Sequence, residues 1–293
     1  MIKKNLIFIC ILSFIFVSCQ KEIDWQQPGG SGGTGGGGGT GGGTTGTRLV
    51  KTVGKEGTDS VVTVYKYDAN NRLINIKITG KSQGIDVGNE ERIYRNSAGI
   101  IISKTQINSQ LSASGLDSAV TKIYSSASPA RYTARVSTIS FFGFGVTDST
   151  VLIYDGSGRV SEELTYQNTS LIGTGYTLSM KIKYTYTGNN ITKTSTYTPG
   201  VGGGPDDLQT SITYTFDAKT AALTLDNEAF AIGHGDWISE NNPTKIDINS
   251  PTTPAANRTV NNTYTYNSNN RPATAVSTMN PGAVVTNLTY YYQ

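Results

Sequence analysis

The sequence predicts an all-β protein, a long antiparallel meander of repeated hairpins, on three observations. A motif of alternating tyrosines followed by a turn returns roughly every thirty residues, and such repeats outrank local signals. Stretches rich in Thr, Tyr, Val and Ile fill the intervals, and these side chains suit a pleated, half-buried surface. No segment carries the apolar period of an amphipathic helix.

In chain order, residues 1–18 read as a secretory signal peptide. Lys3 and Lys4 form a positive start, residues 6–17 form an apolar run of twelve, and Ser18 sets a small residue before Cys19. That run is shorter than the roughly 20 apolar residues of a membrane-spanning helix and has the length of a cleavable signal core. Residues 19–47 form a tether. Thirteen of the 34 glycines fall within 28–47, a composition that buries no core and behaves as a flexible coil. No strand leads into this run and no Gly-Lys-Ser/Thr closes it, so it lacks the context of a phosphate loop.

Residues 48–293 form a single domain of repeated hairpins. Tyr65, Tyr67, Asp68, Asn71, Arg72 and Leu73 set the pattern, followed by Ile74, Ile76 and Ile78 at alternating positions. Close or looser copies lie at Tyr154, Asp155, Gly158, Arg159 and Val160, at Tyr184, Tyr186, Asn189 and Asn190, at Tyr214, Phe216 and Asp217, and at Tyr264, Tyr266, Asn267, Asn270 and Arg271. Weaker ones centre on Tyr94 with Asn96 and Gly99, on Tyr124, and on Asn241 and Asn242. Tyr-x-Tyr puts two rings on one face of a strand. Asp or Asn opens a turn by bonding its own backbone, and Asn or Gly then tolerates the left-handed conformation. Seven or eight such copies predict about fourteen to sixteen strands.

The region of Cys19 resembles a bacterial lipobox. The resemblance implies a diacylglycerol thioether on Cys19, and two acyl chains suffice for stable anchoring. Gln20, Lys21, Glu22 and Asp24 are similar to the surface-export signal of Bacteroidota lipoproteins, which implies an outer-membrane lipoprotein exposed on the cell surface. The Tyr-Asp turns at 65–73 and 154–160 resemble the tyrosine-aspartate repeats of Rhs and teneurin shells. More of the chain resembles a Bacteroidota lipoprotein family of repeated hairpins, the domain of unknown function DUF4595. That family's porin-like fold implies an open curved sheet or half-barrel, and no activity. Its free edges would let a partner strand dock at either end of the meander.

Composition narrows the chemistry. Cys10 lies in the signal and Cys19 at the lipid site, and these are the two cysteines. The mature domain therefore has no disulfide, thiolate nucleophile or sulfur-ligated zinc. Without Lys3 and Lys4 the chain carries 22 basic and 21 acidic residues, with none of the basic clustering of a nucleic-acid binder. The polar strand positions and the lack of clean alternation also argue against a transmembrane barrel.

We expect no catalytic, cofactor or metal residues. The single histidine, His234, sits among Gly233, Gly235, Asp236 and Trp237, and reads as an irregular loop whose Trp237 packs on the sheet. A hydrolase using His234 would need a nucleophile in reach, and no nucleophile elbow accompanies it. The pairs Glu90–Glu91, Glu162–Glu163 and Asp206–Asp207 alternate across a strand and read as solvated strand ends. The turns at Asp68 and Asp155 lack the spaced ligands of a calcium loop. The seventeen tyrosines read first as cross-strand ladders and second as stacking faces for a sugar. The expected function is a lipid-anchored, non-catalytic binding or structural module; the alternative is a glycan-binding accessory to a nutrient-uptake system. The expected partner is the membrane, with a glycan or protein ligand left open.

Overall fold

The computed structural model describes residues 46–108, 118–127, 130–141, 144–169, 175–281 and 284–293. The signal segment, Cys19 and the tether up to residue 45 lie outside the described residues. The strands are β1 Leu49–Glu56, β2 Asp59–Tyr67, β3 Leu73–Ser82, β4 Ile85–Arg95, β5 Ile101–Asn108, β6 Ser118–Ala127, β7 Ala130–Phe141 and β8 Phe144–Tyr154. They continue as β9 Val160–Thr169, β10 Thr177–Thr187, β11 Asn190–Thr198, β12 Asp207–Thr220, β13 Asn241–Asn249, β14 Arg258–Tyr266, β15 Pro272–Asn280 and β16 Val284–Tyr292. Each pairs antiparallel with its sequence neighbours, and the described strands make a closed sixteen-strand barrel.

Closure corrects the open curved sheet or half-barrel that the resemblance implied. Leu49 faces Tyr292, Val53 faces Thr289 and Lys55 faces Asn287 across the seam. Arg48 and Gln293 exchange backbone hydrogen bonds of 3.2 and 2.9 Å beside it. The physical reason is that each edge of an open meander presents unpaired N–H and C=O groups, and joining β1 to β16 satisfies both rows at once. The edge docking site expected for a partner strand disappears with the edges.

An up-and-down meander puts both chain ends and every even-to-odd connection at one rim. The repeat turns build this terminal rim as the residues dictate. Asp68 Oδ1 accepts the backbone N–H groups of Asn70 and Arg72, both at 2.9 Å. Asp155 Oδ1 does the same for Ser157 and Arg159, and Asn267 for Asn269 and Arg271. The fourth turn residue takes positive φ at Asn71, Gly99, Gly158 and Asn270, where only Gly and Asn sit without much strain. A register shift beside each turn, such as that at Lys66/Tyr67 against β3, is the bulge that barrels place at their rims. It puts the buried Leu73, rather than Ile74, on the inner face with Ile76.

The tyrosines of the closer copies turn inward and join one hairpin to the next, whereas Tyr94 and Tyr124 of the weaker copies are exposed. Tyr67 donates its hydroxyl to the Leu49 carbonyl at 2.7 Å, Tyr154 to Tyr132 at 2.7 Å, Tyr186 to Val160 at 2.6 Å and Tyr292 to Pro272 at 2.9 Å. Each bond spans two strands that meet at the terminal rim without a turn between them. The repeat tyrosine thus replaces a missing covalent link, which is the ladder reading in a specific form.

The outer wall is mixed, with charged and hydroxyl side chains standing among exposed Ile102, Val120, Tyr124, Val276 and Val285. One row runs Lys51, Val64, Lys77, Glu90 and Ile107 across β1 to β5, and another runs Lys193, Thr213, Asp247, Thr259 and Asn280 across β11 to β15. Glu90 is bonded to Arg92 at 2.8 Å on this surface. Exposed Lys77, Lys122 and Lys183 stand in the middle of β3, β6 and β10. Among the described residues no helix is long and apolar enough to cross a membrane.

Candidate functional site in the barrel lumen

One connection at the terminal rim is not a tight turn. Between β12 and β13, residues 221–240 fold into the barrel and carry a short helix, α1 Glu228–Ile232, and a 3-10 turn, Gly235–Ile238. No helix period marks this segment because α1 has five residues. Burial stabilises it instead: Ala229, Phe230, Ala231 and Ile232 are each at most 1% exposed. They pack against Ile76, Ile93 and Ile123 of one wall and against Leu152, Val160 and Ile191 of the other. Gly233 ends the helix at φ 85, returning its N–H to the Ala229 and Phe230 carbonyls, the usual left-handed stop.

Cations of the wall hold this plug. Arg95 pairs with Glu228 at the helix start. At the other end Arg135 donates to the Phe230 carbonyl at 2.6 Å and Lys104 donates to the Ile232 carbonyl at 2.7 Å. Both meet carbonyls at the helix's C-terminal end, which carry partial negative charge; the Phe230 carbonyl is shared with the Gly233 N–H. The cations are in turn neutralised on the inner wall. Glu163 accepts from Arg135 and, at 3.0 Å, from the Tyr184 hydroxyl. Glu91 lies 3.3 Å from Lys104 and 2.9 Å from His234 Nε2. Burial raises the Glu91 carboxyl, but Lys104 and His234 outweigh it and hold the group at about 2.

Glu91 and Glu163 are therefore buried members of ion-pair networks and not the solvated strand ends expected for them. Glu90 and Glu162, their outward neighbours, do lie at the surface, with Arg92 and Lys183 as partners. Asp206 pairs with Lys181 at 2.6 Å. The Asp68 and Asp155 carboxylates are engaged by Arg72 and Arg159 within their own turns. Among the described residues no three His, Cys, Asp or Glu side chains are grouped to hold a metal.

The stretch after the helix, residues 233–237, is less buried than α1 and makes up the floor of the plug. His234 stacks on Trp237 with ring centroids 4.2 Å apart, and Trp237 meets Tyr65 of β2 edge-on at 6.2 Å. The expected loop with Trp237 against the sheet is present, but inside the barrel. Asp236 lies between Tyr65 and Tyr214, and its charge helps raise both phenols, after their burial. Its own carboxyl is raised by desolvation, partly offset by His234 and by its own backbone N–H. Solvent nevertheless reaches the Asp236 side chain. Sequence reasoning missed Glu91, Lys104, Arg135, Glu163 and Glu228. Their inward direction follows only from strand register, and the sole advance signal was an isolated charge opposite an apolar position, as with Lys104 facing Ile93.

No protein-family model matches the chain, and no curated protein is similar to it. Among solved structures, a porin-like protein from Bacteroides uniformis aligns with 85% of this chain and 99% of its own, at 12% identity and a TM-score of 0.50. Another from Bacteroides vulgatus aligns with 84% of this chain and 99% of its own, at 13% identity and a TM-score of 0.48. The first likeness supports a porin-like fold, in closed form and not as the open sheet or half-barrel that the resemblance implied, while membership of DUF4595 and kinship to Rhs shells find no match.

Proposed function

We propose that the chain is a water-soluble barrel, moored by a lipid on Cys19 through its glycine-rich leash and working without catalysis as a binding module. The observation that carries the reading is the outer wall. A Lys or Arg facing lipid at the bilayer midplane costs about 2–4 kcal/mol, and Lys77, Lys122 and Lys183 all project from mid-strand. Such a wall belongs in water even though the fold is porin-like. The lumen, with its filled terminal end and polar floor, is the part able to recognise a ligand. The repeat tyrosines are poor sugar platforms in comparison, because hydroxyls such as those of Tyr67, Tyr154 and Tyr186 are bonded to the neighbouring hairpin.

Membrane fractionation of the native host tests this. We expect the protein in the outer-membrane fraction, a lipid-bearing Cys19 peptide by mass spectrometry, cleavage of intact cells' protein by external protease, and release to the soluble fraction on Cys19→Ala. A Cys19→Ala protein that still required detergent for extraction would show a lipid-embedded barrel and overturn the reading. An unmodified Cys19 would overturn the anchor.

A further inference from the structure

We infer that the lumen floor is a binding site for a small organic cation, an amine or quaternary ammonium, with Asp236 as its counter-charge and Tyr65, Tyr214 and Trp237 as its walls. Most charges of the inner wall are matched: Glu91 with Lys104 and His234, Glu163 with Arg135, Glu228 with Arg95. Asp148 of β8 has the Gln167 amide as its partner, and Asp236 has neither a cation nor an amide bonded to it. Among the described residues no other side chain hydrogen-bonds its carboxylate, although His234 is near enough to act on it. An unpaired carboxylate held inside a protein is costly, and a bound cation compensates it where a neutral polyol does not.

Two independent features point the same way. The floor is aromatic, with Trp237 braced by the His234 ring beneath it and Tyr65 at its edge, and aromatic faces attract ammonium groups. Tyr290 of β16 belongs to the same apolar cluster as Tyr65, is 7% exposed and keeps a hydroxyl with no hydrogen-bond partner, so an acceptor is left unsatisfied on the inner wall beside the aromatic rings.

This inference rests on the reading of the barrel as a binding module, and its test is separate from that of the anchor. Trp25 and Trp237 are the two tryptophans, so in a Trp25→Phe background of the full processed chain the emission of Trp237 reports the floor. Choline and putrescine are titrated, with glucose as the neutral control, and calorimetry is run in parallel. We expect saturable quenching or enhancement by at least one amine and none by glucose. Asp236→Asn should weaken that binding by about tenfold or more, the loss of one charge-assisted contact, with the near-ultraviolet circular dichroism of the folded chain retained. Asp236→Glu should restore part of it. Silence towards both amines by fluorescence and heat, equal affinity in Asp236→Asn, or a response to glucose alone would overturn the proposal. Each of these results can occur whether or not Cys19 carries a lipid.

Discussion

Glu91 and Asp236 are two carboxylates a short distance apart in one lumen, and their surroundings push them in opposite directions. Glu91 is held at about 2 because Lys104 and His234 outweigh its burial. A carboxyl lowered on folding contributes stability that is complete above its ordinary value and lost as pH falls towards the folded one. Glu91→Gln should therefore cost about 3 kcal/mol near neutrality, the scale of leaving buried partners unpaired. The deficit should shrink as the pH falls through the carboxylate range, as denaturant unfolding at stepped pH will show. Asp236 runs the other way. Its raised carboxyl favours the fold while protonated, and that contribution disappears as pH rises through the folded value. Asp236→Asn should stabilise the chain slightly at pH 7, the gain being reduced because solvent reaches the side chain, with no gain below the ordinary aspartate range. A stabilising substitution at a floor position is what a residue kept for binding gives.

The repeat turn and the plug are held by different forces. In the turn, a side-chain acceptor and a left-handed residue decide everything locally. Asp155→Ala, which removes two backbone hydrogen bonds and the Arg159 pair, should cost about 1–2 kcal/mol. Asn270→Gly should be nearly silent, whereas Asn270→Val at φ 57 should cost about 1–2 kcal/mol; thermal melts distinguish the two. In the plug, local preference counts for little. Phe230 is fully buried and lies edge-on to Tyr184 at 5.1 Å, so Phe230→Ala should cost about 3–5 kcal/mol. It should also speed hydrogen exchange at Lys104 and Arg135 more than at the Asp68 turn.

For the whole molecule, closure is the property with the most consequences. It leaves no edge for a partner strand, divides every strand into an inner and an outer face, and creates an interior that a connection can enter. Backbone amides of β1 and β16 should therefore exchange as slowly as those of β8 and β9, since Val53 and Leu288 have neighbours on both sides. Rapid exchange confined to β1 and β16 would signal an open seam. Closure also fixes which positions face outward, and those positions carry lysine, threonine and asparagine together with exposed Ile102, Val120, Tyr124, Val276 and Val285.

By itself the sequence determined the all-β class, the hairpin repeat and the turn chemistry, because each rests on residues within a few positions of one another. Asp68 and Asn71 specify their turn without knowledge of any other strand. Only the tertiary structure decided that β16 returns to β1, that residues 221–240 enter the lumen, and that Glu91 meets His234. These depend on register accumulated over the whole circuit, and no local pattern records it. His234 stood out beforehand as the lone histidine, but its partner lies 143 positions away in sequence and becomes its neighbour because the ring of strands closes around the plug.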